Sequence, residues 1–257
     1  MIVFKPARPL SMHLTKEINS GKKAGFVPTM GALHEGHISL IRASVQLNDL
    51  TICSIFINPT QFNNNDDFQN YPVTIAQDIE KLEAAGCDIL FLPPVQEIYR
   101  DGFKAKHYEL GLIEQKMEGE HRPGHFQGVC QVVDRLLDIV HASQLFLGQK
   151  DFQQCIVIRK LLELTGRNET LEMVMMPTIR ENDGLAMSSR NVRLNEKERV
   201  LSTAIFHALS HIKQGFATIS PEALKQAAKI YLESKGFAPD YVEILSAKTL
   251  ETPGNNN

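Results

Sequence analysis

Between residues 23 and 176 the chain alternates short apolar, β-branched runs with longer segments whose apolar residues recur every three or four positions. The short runs read as strands and the longer ones as helices. The clearest strand is Asp49-Leu50-Thr51-Ile52-Cys53-Ser54-Ile55-Phe56-Ile57, apolar almost throughout, as expected of a strand covered on both faces. Before it, residues 34–48 carry Ile38, Ile41 and Val45 on one face of a helix, and residues 23–27 form a short strand. The alternation continues with a helix over 74–85, capped by Thr74 and closed by Gly86, and a strand over 87–92 stopped by Pro93-Pro94. A helix over 128–140, a strand over 144–147, a helix over 151–165 and a strand over 171–176 complete the series. This order predicts an α/β fold, a Rossmann-like doubly wound and mostly parallel sheet with helices on both faces. Ligands of such sheets sit at the carboxyl ends of the strands, where the strand order reverses.

The pattern changes after Pro177. Two long helices over 195–214 and 221–235 are followed by a short strand over 240–245, so a boundary near 177–179 separates a main domain, 1–177, from a smaller C-terminal α+β lid domain, 178–257. At the other end an extended start precedes a helix over 12–19, ended by Ser20-Gly21. Asn63-Asn64-Asn65-Asp66-Asp67 reads as a polar loop.

The charge balance excludes one class of partner. A formal net charge of −3 with no clustered basic excess argues against nucleic acid. No apolar run approaches the ~20 residues of a membrane span. Cys53, Cys87, Cys130 and Cys155 show no Cys-x-x-Cys spacing and no charged-then-apolar leader opens the chain, which predicts buried thiols in a reducing cytoplasm.

The stretch Val27-Pro28-Thr29-Met30-Gly31-Ala32-Leu33-His34-Glu35-Gly36-His37 carries the first chemical signal. An apolar strand ends there in a turn, and two histidines three residues apart open the next helix. A helix start with its free backbone N–H groups, its positive dipole end and two imidazoles suits phosphate oxygens. Read alone, a His-x-x-His pair is more often two histidines on a solvated helix start. Asn58 and Gln61 follow a buried strand, and Gln154 lies one turn into the helix after another. Such amides offer donors and acceptors to hydroxyls and a carboxylate. Gly148-Gln149-Lys150-Asp151 sets a cation and a carboxylate at a strand end, and Met187-Ser188-Ser189-Arg190 offers two hydroxyls and a guanidinium whose fork matches phosphate.

Pro28-Thr29-Met30-Gly31-Ala32-Leu33-His34-Glu35-Gly36-His37 closely resembles the nucleotide-binding signature of the pantothenate synthetase family, nucleotidyltransferases with a His-x-Gly-His type motif. The resemblance runs in order through Phe56-Ile57-Asn58-Pro59-Thr60-Gln61-Phe62, Tyr71-Pro72, Arg122-Pro123-Gly124-His125-Phe126, Gly148-x-Lys150-Asp151-Phe152-Gln153-Gln154 and Asp183-Gly184-Leu185-Ala186-Met187-Ser188-Ser189-Arg190-Asn191. It implies an ATP-dependent condensation of pantoate with β-alanine through a pantoyl adenylate, in a cytoplasmic homodimer. It implies further that Gln61 and Gln154 bind pantoate with Asn58 close by and the Met30 backbone beside the reacting group. ATP would meet Pro28, Thr29, Met30, His34, Gly36, His37, Gly148, Lys150, Asp151, Ile179, Met187, Ser188, Ser189 and Arg190, with Gly148 and Asp151 at the ribose. His34, His37, Lys150, Ser188, Ser189 and Arg190 would be the catalytic set, supplying donors and positive charge. Asp78 would help position Mg2+ with its waters. The sequence departs from the family where Gln149 and Gln77 replace acidic residues.

Other spacings carry less. His207 and His211 are four apart on a predicted helix, but no glutamate follows His207 as a His-Glu-x-x-His zinc site requires, so exposed histidines are expected. Pro123-Gly124 keeps His121 and His125 off a shared helical face. The absence of G-x-x-x-x-G-K-[ST] and G-x-G-x-x-G motifs removes the P-loop and dinucleotide readings. Two related nucleotidyltransferase types, a pantetheine-phosphate adenylyltransferase and a cytidylyltransferase, fit less well, because amides stand where a substrate phosphate would need a basic pocket. A class I aminoacyl-tRNA synthetase would need a basic tRNA-binding region. A non-catalytic nucleotide-binding protein would keep the sheet and release no pyrophosphate.

Overall fold

A computed structural model describes residues 1–100 and 102–252. In chain order its regular elements are β1 (Ile2–Phe4), α1 (Ala7–Asn19), β2 (Ala24–Thr29), α2 (Glu35–Leu47), β3 (Leu50–Ile55), α3 (Asn65–Gln69), α4 (Ile75–Ala84), β4 (Ile89–Phe91) and α5 (Val95–Ile98). They continue with α6 (Glu118–His121), α7 (His125–Val140), β5 (Gln144–Gly148), α8 (Phe152–Leu164), β6 (Glu172–Met176), α9 (Glu196–Leu201), α10 (Ala204–Gly215) and α11 (Pro221–Ser234).

The six strands form one sheet in the order β1-β4-β3-β2-β5-β6, every pair parallel. Successive strands step one way from β2 to β3 to β4, and the other way from β5 to β6, so the order reverses between β2 and β5. The two-residue period of each strand sends neighbours to opposite faces. Phe26, Ile52, Phe91 and Leu145 enter one core with residues of α1, α7 and α8, while Val27, Cys53, Leu90 and Phe146 enter the other with residues of α2 and α4. Helices therefore cover both faces, and β3 is buried along its whole length. The expected α/β architecture is the one observed. All four cysteines are buried free thiols, and burial pushes Cys87 and Cys130 up to about 12.

Several boundaries differ from expectation for local reasons. The first helix begins at Ala7 rather than at residue 12, because Pro9 falls in its first turn, where a missing N–H costs nothing, and Glu97 Oε2 accepts the Ala7 N–H at 2.8 Å. Thr74 occupies the N-cap position of α4, but its hydroxyl donates to Asp78 Oδ1 (3.1 Å) instead of accepting a backbone N–H. The polar stretch at 63–67 winds into α3, with Asn64 accepting the Asp66 N–H.

Beyond the sheet, α10 and α11 build a small core of their own from Ala204, Ala208, Ala228 and Leu232. The single long helix expected over 195–214 is broken at Ser202 and Thr203, whose hydroxyls donate to the Arg199 and Val200 carbonyls three residues back. The strand expected over 240–245 has no sheet partner among the described residues. Tyr241 instead donates its hydroxyl to Glu118 Oε1 at 2.9 Å and stacks on His121. Among the described residues from 178 onward, extended pairing is confined to the bridge between Arg180 and Ala186. The last residues of the expected lid domain, 253–257, lie outside the described residues. His207 and His211 are exposed, as expected. Among the described residues no helix is long and apolar enough to cross a membrane.

Candidate functional site

A cavity opens at the carboxyl ends of β2, β3, β5 and β6, centred on the reversal of strand order. It is the position that the topology dictates for a ligand.

The turn after β2 is held from several directions. Gly31 and Ala32 both adopt left-handed backbone, φ +84 and +48, which only glycine accepts without strain. Asp78, fully buried on α4, accepts the Ala32 N–H on Oδ2 (2.9 Å) and the Leu33 N–H on Oδ1 (2.8 Å). Lys81 donates to the Leu33 carbonyl and Ser189 to the Ala32 carbonyl. With Oδ2 accepting the Ala32 N–H and Oδ1 accepting both the Leu33 N–H and the Thr74 hydroxyl, Asp78 clamps the corner. Among the described residues no group of three or more His, Cys, Asp or Glu side chains converges on a metal position.

The clamp delivers His34 and His37, with ring centroids 4.1 Å apart. His34 is the N-cap of α2. Its Nδ1 accepts the Gly36 N–H (3.1 Å), while His37 Nδ1 accepts the His34 N–H (3.3 Å) and the His37 N–H bonds to the His34 carbonyl (2.8 Å). These bonds take up the Gly36 and His37 N–H groups of the helix start. A neutral imidazole that accepts at Nδ1 must carry its proton on Nε2. Burial, reinforced at His37 by His34 and at both rings by Lys150, lowers His34 to about 4 and His37 to about 3. Both rings are neutral at neutral pH and face the cavity as two Nε2–H donors, which settles on the donor role a charge state that the sequence left open. Positive charge comes from Lys150 on the other side of the switch point, which among the described residues forms an exposed pair with Asp151 (3.0 Å).

After β3, a 3-10 turn over Pro59–Gln61 presents Gln61. Asn58 is buried and saturated: its Nδ2 donates to Gln61 Oε1 (3.0 Å) and the Gly128 carbonyl (3.1 Å), and its Oδ1 accepts from Thr60 and Tyr99. With its oxygen so engaged, Gln61 turns its amide nitrogen toward Met30 Sδ and the cavity. His125 Nδ1, at 2.8 Å, and Arg122 hold the Gln61 carbonyl. The Arg122-Pro123-Gly124-His125 motif therefore positions this turn, a role no local spacing revealed. Gln154, in the first turn of α8, faces the same cavity.

Gly128 is the close-packing point of this wall, since a Cβ there would lie 2.3 Å from the Thr60 carbonyl oxygen and 3.0 Å from the Gln61 nitrogen. Alanine at a helix interior normally gains roughly 0.5–1 kcal/mol over glycine. Here overpacking against backbone, about 1–3 kcal/mol, outweighs that gain. Gly128→Ala is expected to lower the melting temperature and to displace Gln61, which a thermal scan and the KM of the substrate held by Gln61 will read.

Val129, Val132, Val133 and Leu136 of α7 form an apolar wall of the cavity with Phe56, Phe146, Leu147 and Ile158. Their helical periodicity marked them as core, and they serve both purposes. Over the opening, residues 177–190 fold across: the Met187 N–H bonds to the Ile179 carbonyl, Ser189 is pinned to the corner, and Ser188 accepts the Arg190 N–H. Of the residues expected at the site, Pro28, Thr29, Met30, His34, Gly36, His37, Asn58, Gln61, Gly148, Lys150, Asp151, Gln154, Ile179, Met187, Ser188, Ser189 and Arg190 all line this cavity, and Asp78 does not. Tyr71 and Thr178 line it as well.

The family model for pantoate-beta-alanine ligase matches residues 3–257. A pantothenate synthetase of Cytophaga hutchinsonii is 44% identical over 256 residues, covering 98% of this chain and 89% of that protein. One from Flavobacterium psychrophilum is 40% identical over 259 residues, covering 100% and 91%. Among solved structures, a pantothenate synthetase from Thermus thermophilus superposes with a TM-score of 0.92 at 36% identity, covering 98% of this chain and 90% of that one. A pantoate-beta-alanine ligase from Francisella tularensis, complexed with beta-gamma ATP and beta-alanine, gives 0.80 at 37% identity, covering 90% and 86%.

Proposed function

Since the chain belongs to the pantoate-beta-alanine ligase family and joins pantoate to β-alanine in an ATP-dependent reaction that yields pantothenate, we propose that the cavity at the switch point is where ATP and pantoate meet. The observation that carries this reading is the convergence of the two histidine donors after β2 with Lys150 after β5, beside the Gln61 wall after β3.

Pantoate has a carboxylate, two hydroxyls and a geminal dimethyl group. Gln61 and Gln154 would take the polar groups, with Asn58 acting through Gln61, and the apolar wall of α7 would take the methyl groups. Gly148 and Asp151 would hold the ribose, and Pro28, Thr29, Gly36, Ile179 and Met187 would line the nucleotide. In the first step the pantoate carboxylate attacks the α-phosphorus. An O–P bond forms, the bond to the bridging oxygen breaks, and pyrophosphate leaves. A carboxylate with a pKa of about 4 is already ionised at neutral pH, so no general base is needed. The protein's task is to bring two anions together and to stabilise charge on the α-phosphate and the departing pyrophosphate. His34 and His37 Nε2–H, Lys150, Ser188 and Arg190 are placed for that, with Ser189 anchoring the loop to the corner. In the second step the β-alanine amine attacks the acyl carbon. A C–N bond forms, AMP leaves with the C–O electron pair, and the amine gives up a proton. Only the uncharged amine attacks, so this step speeds up with rising pH.

The residues present do not fit a protein-held magnesium: Asp78 is committed to the corner and Asp151 is the acidic residue of the cavity lining. Mg2+ would enter with ATP and offset phosphate charge. The residues from 178 onward are read as a lid domain, and the enzyme as a cytoplasmic homodimer; the buried thiols support a reducing compartment.

Exchange of labelled pyrophosphate into ATP tests the two-step order. Exchange is expected with pantoate and Mg2+ and without β-alanine. Exchange that requires β-alanine would contradict a free-standing adenylation step.

A further inference from the structure

Arg190 enters the cavity lining, yet its guanidinium is gripped from behind by a residue outside that lining. Asp67, on α3, accepts Arg190 Nε on Oδ1 (3.1 Å) and Nη2 on Oδ2 (2.8 Å), a two-pronged pair. The same Oδ1 accepts Arg193 Nη1 at 2.9 Å. The Arg190 guanidinium carbon lies 5.4 Å from the centroid of the Tyr71 ring. Tyr71 in turn packs edge-on against Phe62, which packs against Phe68, so α3 is fastened to the segment that carries Gln61.

We propose that Asp67 is a positioning residue for adenylation, holding Arg190 by its Nε edge so that the remaining N–H groups of the fork face the phosphates of ATP. This rests on the reading that Arg190 meets those phosphates. Three features make the arrangement suited to the task. Arginine has five N–H donors, and the pair with Asp67 uses two, leaving Nη1 and one proton of Nη2 for an anion. One carboxylate faces two guanidiniums, so the cluster keeps a net positive charge toward phosphate. Arg193 also keeps Asp67 paired when Arg190 shifts toward a ligand, so that shift does not strand a carboxylate that is three-quarters shielded from solvent. Because α3 is tied to the Gln61 segment, the contact links the wall assigned to pantoate with the arginine assigned to ATP across 123 residues of sequence.

Steady-state and adenylation kinetics on the full chain test this with Asp67→Ala, Asp67→Glu, Arg190→Ala and the double variant Asp67→Ala/Arg190→Ala. Asp67→Ala is expected to raise KM for ATP roughly tenfold, the scale of one charge-assisted contact, with KM for β-alanine unchanged. Asp67→Glu recovers part of the loss, and the double variant is no worse than Arg190→Ala alone. Multiplying effects in the double variant would overturn the proposal, because Asp67 would then act independently of Arg190. An unchanged KM for ATP in Asp67→Ala beside a raised one in Arg190→Ala would overturn it too, leaving the role of Arg190 intact. An unchanged KM for ATP in Arg190→Ala would overturn the phosphate reading of Arg190 and the proposal with it. Should Asp67→Ala fail to fold, Asp67→Asn, which keeps one acceptor oxygen and the side-chain volume, carries the same expectations in weaker form.

Discussion

Replacing His34 or His37 by alanine will slow adenylate formation by roughly 10²–10³-fold, the loss that follows removal of one preorganised donor to developing charge. Each ring does two jobs, and they can be separated. His34 Nδ1 caps α2 by accepting the Gly36 N–H, so His34→Ala also costs about 0.5–2 kcal/mol in helix capping. Asparagine is a good N-cap residue. His34→Asn is therefore expected to keep the melting temperature near that of the parent while losing adenylation as His34→Ala does. Stopped-flow detection of pyrophosphate and a thermal scan read the two effects independently.

The histidine pair also fixes a pH signature. Burial depresses His34 to about 4 and His37 to about 3, so neither ring titrates near the ordinary imidazole value of 6.5. Adenylation should show no inflection there. For stability, the unfolded chain binds more protons than the folded one between those folded values and 6.5, so stability rises with pH across that window. The contribution of the pair is complete above 6.5 and is lost as pH falls through the folded values near 4 and 3. His34→Asn should flatten part of this acid limb.

Asp78→Ala will unfold the corner rather than merely weaken metal use. Its carboxylate meets the buried N–H of Leu33 and the half-buried N–H of Ala32, and Ala32 sits at φ +48, a conformation that holds only while its neighbours enforce it. Leaving those two donors unpaired costs roughly 2–5 kcal/mol, against a total stability of about 5–15 kcal/mol for a typical domain. A drop in melting temperature of about 5–15 °C is expected, in the absence of nucleotide and magnesium. Unchanged melting with a raised requirement for Mg2+ would restore the metal role for Asp78.

The sheet and its switch point were legible because buried parallel strands announce themselves as short apolar runs, and the run at 49–57 is one of them. The corner was legible because a strand end, two glycines and two histidines coincide within eleven residues. The partner of a charged side chain was not. Asp78 reads as a solvated helix carboxylate until the chain brings Ala32 and Leu33 to it from 45 residues away. Asp67 and Arg190 lie 123 residues apart in what read as two unrelated polar stretches. Periodicity placed Val132 and Val133 on the buried face of a helix, but whether such a face meets other side chains or a cavity depends on the turn opposite, here that of Pro59–Gln61. The charge of the two histidines was equally hidden, because it is set by their burial and by Lys150, which arrives from the far side of the strand reversal.

The reading of the site turns on those two rings being neutral donors with their protons on Nε2. Imidazole ¹⁵N chemical shifts of His34 and His37, assigned through the alanine variants and followed with and without ATP, measure tautomer and charge at once. The expected result is the Nε2–H tautomer for both rings at neutral pH. A proton on Nδ1, or a doubly protonated ring at neutral pH, would contradict it.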